Sequence, residues 1–455
     1  MQLQKSSSQH KMMTQAPLCP LILKLAAPTT VGLVIVALYS LADALFVSHL
    51  GTTAGAAVGV TFAVSALLQT VGYTLGIGAG SLMSRSLGSR KDNEANLYAA
   101  VSFWLSLFIG IVIAAVGLTQ GSSIIRFLGA SDTIFPLALA YSHYLFLSAP
   151  FTCAGFVLSQ LLRAEGKAVY SMLGLVGGGL LNIALDPFFI TIRGMGISGA
   201  SCATLVSQFF SFVILLSAYL LRHSQIHLFQ KISLSSLSVC GRILISGLPS
   251  FFRQGLIALS TVLLNHATAA QSDSAVAAVS IVARIFLVAF SFCLGIGQGM
   301  MPVAGYNYGA DRYSRVRAAY RFSLLASCLT MLLISIPLLI FAPRLIAFFR
   351  NDPQVVAIGV PTLRLQSAVL VLHGFITCTI LILQAIGKPI SASILATARQ
   401  GLFFLPLLFT LPVCYGLWGV ILVQPISDAL TFLFAIPFAI YAFRHLTKKG
   451  RGEAL

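Results

Sequence analysis

Asn182 and Asp186 stand four residues apart in Asn182-Ile-Ala-Leu-Asp186-Pro187, inside the otherwise apolar stretch 171–192. On a helix that spacing puts both side chains on one face. A carboxylate at mid-membrane depth costs roughly 2.5–3.5 kcal/mol on insertion scales, so a polar pair there points to a binding site before it points to architecture. The chain holds only eleven acidic residues. Asp92, Glu94, Asp132, Asp273, Asp311, Asp352 and Glu453 fall in polar connections or the tail. Glu165 sits at a span end beside Arg163 and Lys167, where a solvated ion pair is the expected role. Three lie deep: Asp43, Asp186 and Asp428. Two carboxylates brought together in a low dielectric cannot both stay ionised cheaply, so such a pair takes a proton or a cation.

Asp428 has rivals for its attention. Arg284 and Arg399 also lie mid-span and each needs a counter-charge, so an Asp428–Arg399 or Asp428–Arg284 structural pair competes with a transport role. Arg253 and Arg364 lie nearer span ends, where snorkelling suffices. Thr204 follows the run Gly194-Met-Gly-Ile-Ser-Gly199, and a threonine in a membrane helix ordinarily bonds its own backbone. Tyr39 shares a helical face with Asp43, though a lone tyrosine is commonly packing. Pro28 can bend the first span.

These residues need a membrane around them, and composition supplies it. Of 455 residues 58% are hydrophobic and 9% charged, with mean hydropathy +0.94. A soluble surface cannot be made from so little charge. Apolar runs of helix length predict an all-α polytopic membrane protein of twelve spans, near 22–50, 54–83, 96–119, 133–162, 168–192, 195–221, 243–268, 275–303, 318–342, 355–386, 389–412 and 416–443. Alternating ten-residue segments, the mark of a β-barrel, are missing from the sequence. The net charge of +17 does not read as nucleic-acid binding, because Lys and Arg favour alternate gaps twenty to four. That asymmetry predicts both termini on the cytoplasmic side. The eight cysteines are scattered without a CxxC and read as small buried hydrophobes. No cleavable leader is expected, since the first apolar segment recurs later in the chain.

The recurrence is systematic. Pro28 aligns with Pro249, and Ala164-Glu-Gly166-Lys167 with Ala385-Ile-Gly387-Lys388, both 221 residues on. Gly196 and Gly199 align with Gly416 and Gly419 at 220, and Leu75-Gly-Ile-Gly78 with Leu294-Gly-Ile-Gly297 at 219. The expected organisation is a polar, loose N-terminus (1–20), a first lobe (21–221), a cytoplasmic linker (222–242), a second lobe (243–443) and a basic tail (444–455). Six spans per copy insert the same way up, related by a pseudo-two-fold along the membrane normal. The repeat is also an internal control. The counterparts of Asp43, Asn182 and Asp186 are Leu264, Phe403 and Leu407, so the fold does not need the polar groups.

Pro28…Tyr39-Ser-Leu-Ala-Asp43-Ala-Leu-Phe-Val, Leu181-Asn182-Ile-Ala-Leu-Asp186-Pro187, the glycine run from Gly194, and Gly305-Tyr-Asn-Tyr-Gly309-Ala together resemble the multidrug and toxic compound extrusion (MATE) transporters, over about 22–443. The likeness is to the MepA-like, DinF-related bacterial branch. It implies a first-lobe coupling-ion site with Asp43, Asn182, Asp186 and Thr204 as ligands, for H⁺ or, as a metal, Na⁺. It implies a substrate cavity touched by Tyr39, Asp43 and Asp186, and a span-one bend at Pro28. Other branches use second-lobe acids; Leu264 and Leu407 stand in their place here, which makes second-lobe coupling doubtful.

The expected protein is therefore a secondary antiporter in the bacterial cytoplasmic membrane. It needs no cofactor and works as a monomer among membrane lipids. It exports amphipathic, often cationic, drugs by alternating access. A lipid-linked precursor flippase is the nearest rival, with Arg253, Arg284 and Arg399 as candidate pyrophosphate partners. A membrane-embedded enzyme is the more distant one: His49, His143, His266 and His373 read as isolated, and no HExxH, GxSxG or ATPase motif occurs.

Overall fold

The computed structural model describes residues 2–48, 51–230 and 237–451. His49 and part of the 222–242 connection lie outside the described residues. The described chain is helical throughout and without strands: α1 (Gln2–Gln15), α2 (Leu18–Ser48), α3 (Thr52–Gly88), α4 (Asp92–Phe127), α5 (Phe135–Glu165), α6 (Ala168–Pro187), α7 (Ile197–Leu220), α8 (Leu237–Ala269), α9 (Asp273–Gly309), α10 (Tyr313–Ile340), α11 (Ala342–Phe349), α12 (Pro353–Ala385), α13 (Pro389–Thr397) and α14 (Phe404–Arg451). Wide π-helical turns extend α6 through Phe188–Ile192 and join α13 to α14 through Ala398–Phe403.

Among the described residues, eleven helical stretches are long and apolar enough to cross a bilayer. The last, Pro389–Gly450, is 62 residues long. At about 1.5 Å per residue that is far more than one ~30 Å crossing. It breaks at Gly416 (φ 54°, ψ −130°), a conformation closed to side-chain-bearing residues. Gly196, 220 positions earlier, caps α7 with nearly the same angles (φ 57°, ψ −134°). The same glycine turn thus separates the last two passes of each copy, giving twelve. Most helices overrun the predicted spans, because hydropathy ends at the membrane surface while helical hydrogen bonding continues into water.

The two copies pack as pseudo-symmetric lobes. α2 and α3 of the first meet α9 and α8 of the second. At the crossing, a Cβ on Gly88 would strike the Tyr306 carbonyl, and a Cβ on Gly309 would strike that of Arg85. These are the same contact exchanged by a 221-residue shift. The sequence match of Leu75–Gly78 to Leu294–Gly297 is therefore two residues out of register with the packing. Gly76, which packs on Gln160, corresponds to Gly297, which packs on Leu381. Gly88→Ala is expected to force the lobes apart here and lower stability by about 1–3 kcal/mol, read as a fall in Tm. α5 and its counterpart α12 are the most buried spans and form the centre of each lobe.

Two expectations fail at the end of the molecule that carries α1 and the end of α14. Residues 2–15 are not loose: they form α1, with Met13 and Thr14 fully buried. Gln9 donates to the Glu165 carbonyl (2.9 Å) and the His10 ring pairs with that of Gly88 (3.0 Å), both in the first lobe. From the second lobe Asn307, Arg312 and Arg315 donate to the carbonyls of Met13, Thr14 and Ala16. α1 thus straps both lobes, held largely through backbone carbonyls that hydropathy cannot reveal. Nor is Glu165 solvated. It is fully buried, salt-bridged to Lys167 (2.7 Å) and hydrogen-bonded by Ser224 (2.5 Å) and the Gln225 amide (2.9 Å).

Candidate functional site

Three helices of the first lobe bring the deep polar groups together. α6 carries Asn182 and Asp186 one turn apart, both buried, near its end at Pro187. Proline lacks an N–H and spoils the regular helix, which here widens into the π turn that follows. α2 brings Asp43, and α7 brings Thr204. Tyr141 of α5 donates to Asp43 Oδ2 at 3.5 Å. Asp43 and Asp186 lie within electrostatic range of each other, and Tyr141 of both.

The hydrogen-bond inventory separates this group from ordinary buried polar residues. Asp43 Oδ1, both oxygens of Asp186, and both amide atoms of Asn182 are buried without a partner. Ser207 Oγ, one turn beyond Thr204, is likewise unpaired. Buried polar atoms are nearly always satisfied, and leaving them bare costs about 1–3 kcal/mol each, more where charge is involved. Thr204 does donate to its own backbone, at the Ala200 carbonyl (3.1 Å), but its hydroxyl lone pairs stay available to a cation or an acidic proton.

Two cavities flank the group. A small one, about 20 Å³, is lined by Tyr39, Asn182, Thr204, Ser207, Gln208 and Ser211 among others. A larger one, about 330 Å³, is lined by Tyr39, Asp43, Thr61, Gln69, Tyr141 and Gln208. Tyr39, Phe156, Thr204 and Gln208 line both, so they form the wall between. Asp186 lines neither. Arg284, from α9 of the other lobe, also lines the larger cavity.

That placement decides between the two pairings open to Asp428, in favour of Arg399. Among the described residues Arg284 makes no ion pair with Asp428. Asp428 is instead saturated: Arg399 Nε donates to Oδ1 (2.8 Å), Gln424 Nε2 to the same oxygen (2.9 Å), and His373 Nε2 pairs with Oδ2 (2.9 Å). His373, isolated in the sequence, is thus a fully buried member of a second-lobe cluster. The π turn Ala398–Phe403 carries Arg399 to this cluster, and Ser427 fixes the Arg399 carbonyl (2.6 Å).

Pro28 interrupts α2 without ending it, about three turns before Tyr39. Sequence reasoning missed Tyr141, Ser207, Gln208 and the cavity position of Arg284. Part of this was visible. Thr204, Ser207, Gln208 and Ser211 recur at helical spacing and make one polar stripe on α7. Tyr141 carried no such signal.

Comparison with known proteins follows the same two-fold pattern. The MatE family model matches twice, over residues 28–188 and again over 249–410. The multidrug export protein MepA of Staphylococcus aureus (strain N315) is 25% identical over 431 residues, covering 94% of this chain and 95% of that protein. A solved MATE transporter in complex with MaL6 superposes with TM-score 0.90 at 27% identity, covering 96% of this chain and 99% of the other. Another, described as the outward-facing conformation of a multidrug resistance MATE family transporter, also gives 0.90 at 27% identity, covering 96% and 98%. With matched segments in both lobes and a common fold along nearly its whole length, the chain belongs to the MATE family of membrane transporters.

Proposed function

We propose that this protein is a cation-coupled antiporter that exports amphipathic, often cationic, drugs, with its ion site at Asp43, Asn182, Asp186 and Thr204. The carrying observation is the contrast between lobes. The first-lobe carboxylates keep buried oxygens with no protein partner, while the second-lobe Asp428 has none to spare. Unpaired carboxylate oxygens in a dry site are what a proton or Na⁺ would satisfy. The site thus alternates between an occupied, neutralised state and a charged one that favours a cationic substrate. MepA relatives and the multidrug MATE structures support drugs as the substrate class.

In this reading the larger cavity receives substrate beside Asp43 and Tyr39, and ion entry from outside moves α2, bent at Pro28, to expel it. The terminal end, strapped by α1, is the cytoplasmic side of a bacterial inner membrane, and the likeness to an outward-facing structure supports closure there. The lobes 21–221 and 243–443 rock about the Gly88/Gly309 crossing, each monomer working alone in its lipid. The potential contributes about 2.3 kcal/mol per charge per 100 mV to ion entry.

Ethidium movement in inverted vesicles, with ΔpH and ΔNa⁺ imposed separately, tests this. One gradient alone is expected to drive efflux; indifference to both would sink the reading. Arg284 favours a second reading, since a cavity cation suits the pyrophosphate of a lipid-linked precursor. Arg284→Ala is expected to leave ethidium efflux within about twofold of wild type, a rim charge facing a cationic dye contributing little binding. Loss of precursor translocation in the same variant, with ethidium unmoved from the start, would favour the flippase.

A further inference from the structure

Away from the ion site, the lobe interface buries a cation that has no acid beside it. Arg163 of α5 is 4% exposed and lies within salt-bridge distance of no carboxylate among the described residues. Its neighbour Glu165 is committed to Lys167, Ser224 and the Gln225 amide. The guanidinium donates through Nε to Ser171 Oγ (2.9 Å), through Nη2 to Ser159 Oγ (3.2 Å), and through Nη1 to Gln298 Oε1 of the other lobe. All three acceptors are neutral. An uncompensated buried charge is strongly unfavourable, and three of its five N–H groups are satisfied only by dipoles.

Two more donors converge there. Gln160 Nε2 and Gln298 Nε2 are buried with no partner, their residues 6% and 3% exposed. Arg163, Gln160 and Gln298 line one small cavity of about 20 Å³, together with Ser84 and the glycine face of α3 at Gly76 and Gly80. Its lining offers a full positive charge and two amide N–H₂ groups, and it has room for a single-atom ligand but not for a polyatomic oxyanion.

The repeat says that the fold does not require this arrangement. At a 221-residue shift Arg163 becomes Gln384, Gln160 becomes Leu381 and Gln298 becomes Ile77. Gln384 is satisfied in place, donating to the Ser246 carbonyl at 2.9 Å. One side of the pseudo-two-fold is neutral and closed, and the other keeps a charge and orphan donors.

We infer that this pocket is a halide site, which chloride fills by accepting from Arg163, Gln160 Nε2 and Gln298 Nε2. The anion joins α5 of the first lobe to α9 of the second on the α1-strapped side of the ion site. It therefore binds the arrangement in which these helices are apposed and stabilises it by mass action. The site is independent of the drug-efflux reading and stands or falls without it.

The test uses the purified full-length protein at constant Na⁺ and ionic strength, in chloride, bromide or gluconate. Chloride and bromide are expected to raise the Tm saturably over gluconate, and equilibrium dialysis with radioactive chloride to find one site per chain. Gln298→Glu supplies a built-in carboxylate; it should keep a halide-like Tm in gluconate and lose the halide dependence. Gln160→Leu removes one donor and should raise the half-saturating chloride about tenfold. It decides the matter if Gln298→Glu does not fold. Equal wild-type Tm in chloride and gluconate, as a water in the pocket would give, overturns the proposal. So does a halide effect that both variants leave unchanged.

Discussion

Asp186→Asn is expected to reduce drug efflux to the level of vesicles without transporter, while the protein folds with an unchanged or slightly higher Tm. The two halves of this expectation come from one observation. Neither oxygen of Asp186 accepts a hydrogen bond from the protein, so replacing the carboxylate breaks nothing that holds the fold together. It removes a buried charge that the native fold tolerates at a cost, which is why stability does not suffer. What disappears is the capacity to exchange a proton or cation. Asp43→Asn should behave alike, with a small stability loss from weakening the long Tyr141 contact. The measurement is ethidium efflux beside a thermal unfolding curve on the same preparation. Full efflux by Asp186→Asn would remove the residue from the coupling site. Loss of efflux with a collapsed Tm would make its role structural.

Asp428→Ala is expected to do the reverse. This carboxylate is held by Arg399, His373 and Gln424, and its removal strands a guanidinium and an imidazole in the second lobe. Breaking a buried pair from one side costs about 3–5 kcal/mol, so a large fall in Tm and poor yield should follow. Restoring neutrality rather than charge should rescue it. The double variant Asp428→Leu with Arg399→Met is expected to recover most of the stability, since well-packed apolar replacements of buried pairs are often neutral or better. A double variant as unstable as Asp428→Ala would show that the cluster does more than balance charge. Deep carboxylates of identical type thus divide by their hydrogen-bond partners into one that holds the fold and two that leave oxygens bare.

The sequence carried much of this, and the physical reason differs by level. Spans were legible because hydropathy acts on each segment separately, and lobes because the same motifs return after about 220 residues. The candidate group in the first lobe stood out because Asp43 and Asp186 are costly in lipid and their repeat counterparts, Leu264 and Leu407, are not. Partners distant in the chain were not legible. His373 and Asp428 are 55 positions apart and share no local pattern. Arg284 changes lobes to reach the Asp43 cavity, which no periodicity on α9 announces. Arg163 and Glu165 looked like surface charges because they sit at a span end. Both are buried because the other lobe and the 222–230 segment cover that end.

The strap α1 also bears on how the chain is made. It precedes every spanning helix, yet two of its backbone carbonyls, and that of Ala16 just past its end, are claimed by Asn307, Arg312 and Arg315, nearly three hundred residues later. Domains generally fold in the order they are synthesised. Here α1 must wait, half-satisfied against Gly88 and Glu165, until the second copy has entered the membrane. Its docking is thus a late assembly event that reports a finished molecule. A bulky fusion ahead of α1 is expected to hinder that last step, where the same fusion after the tail would not.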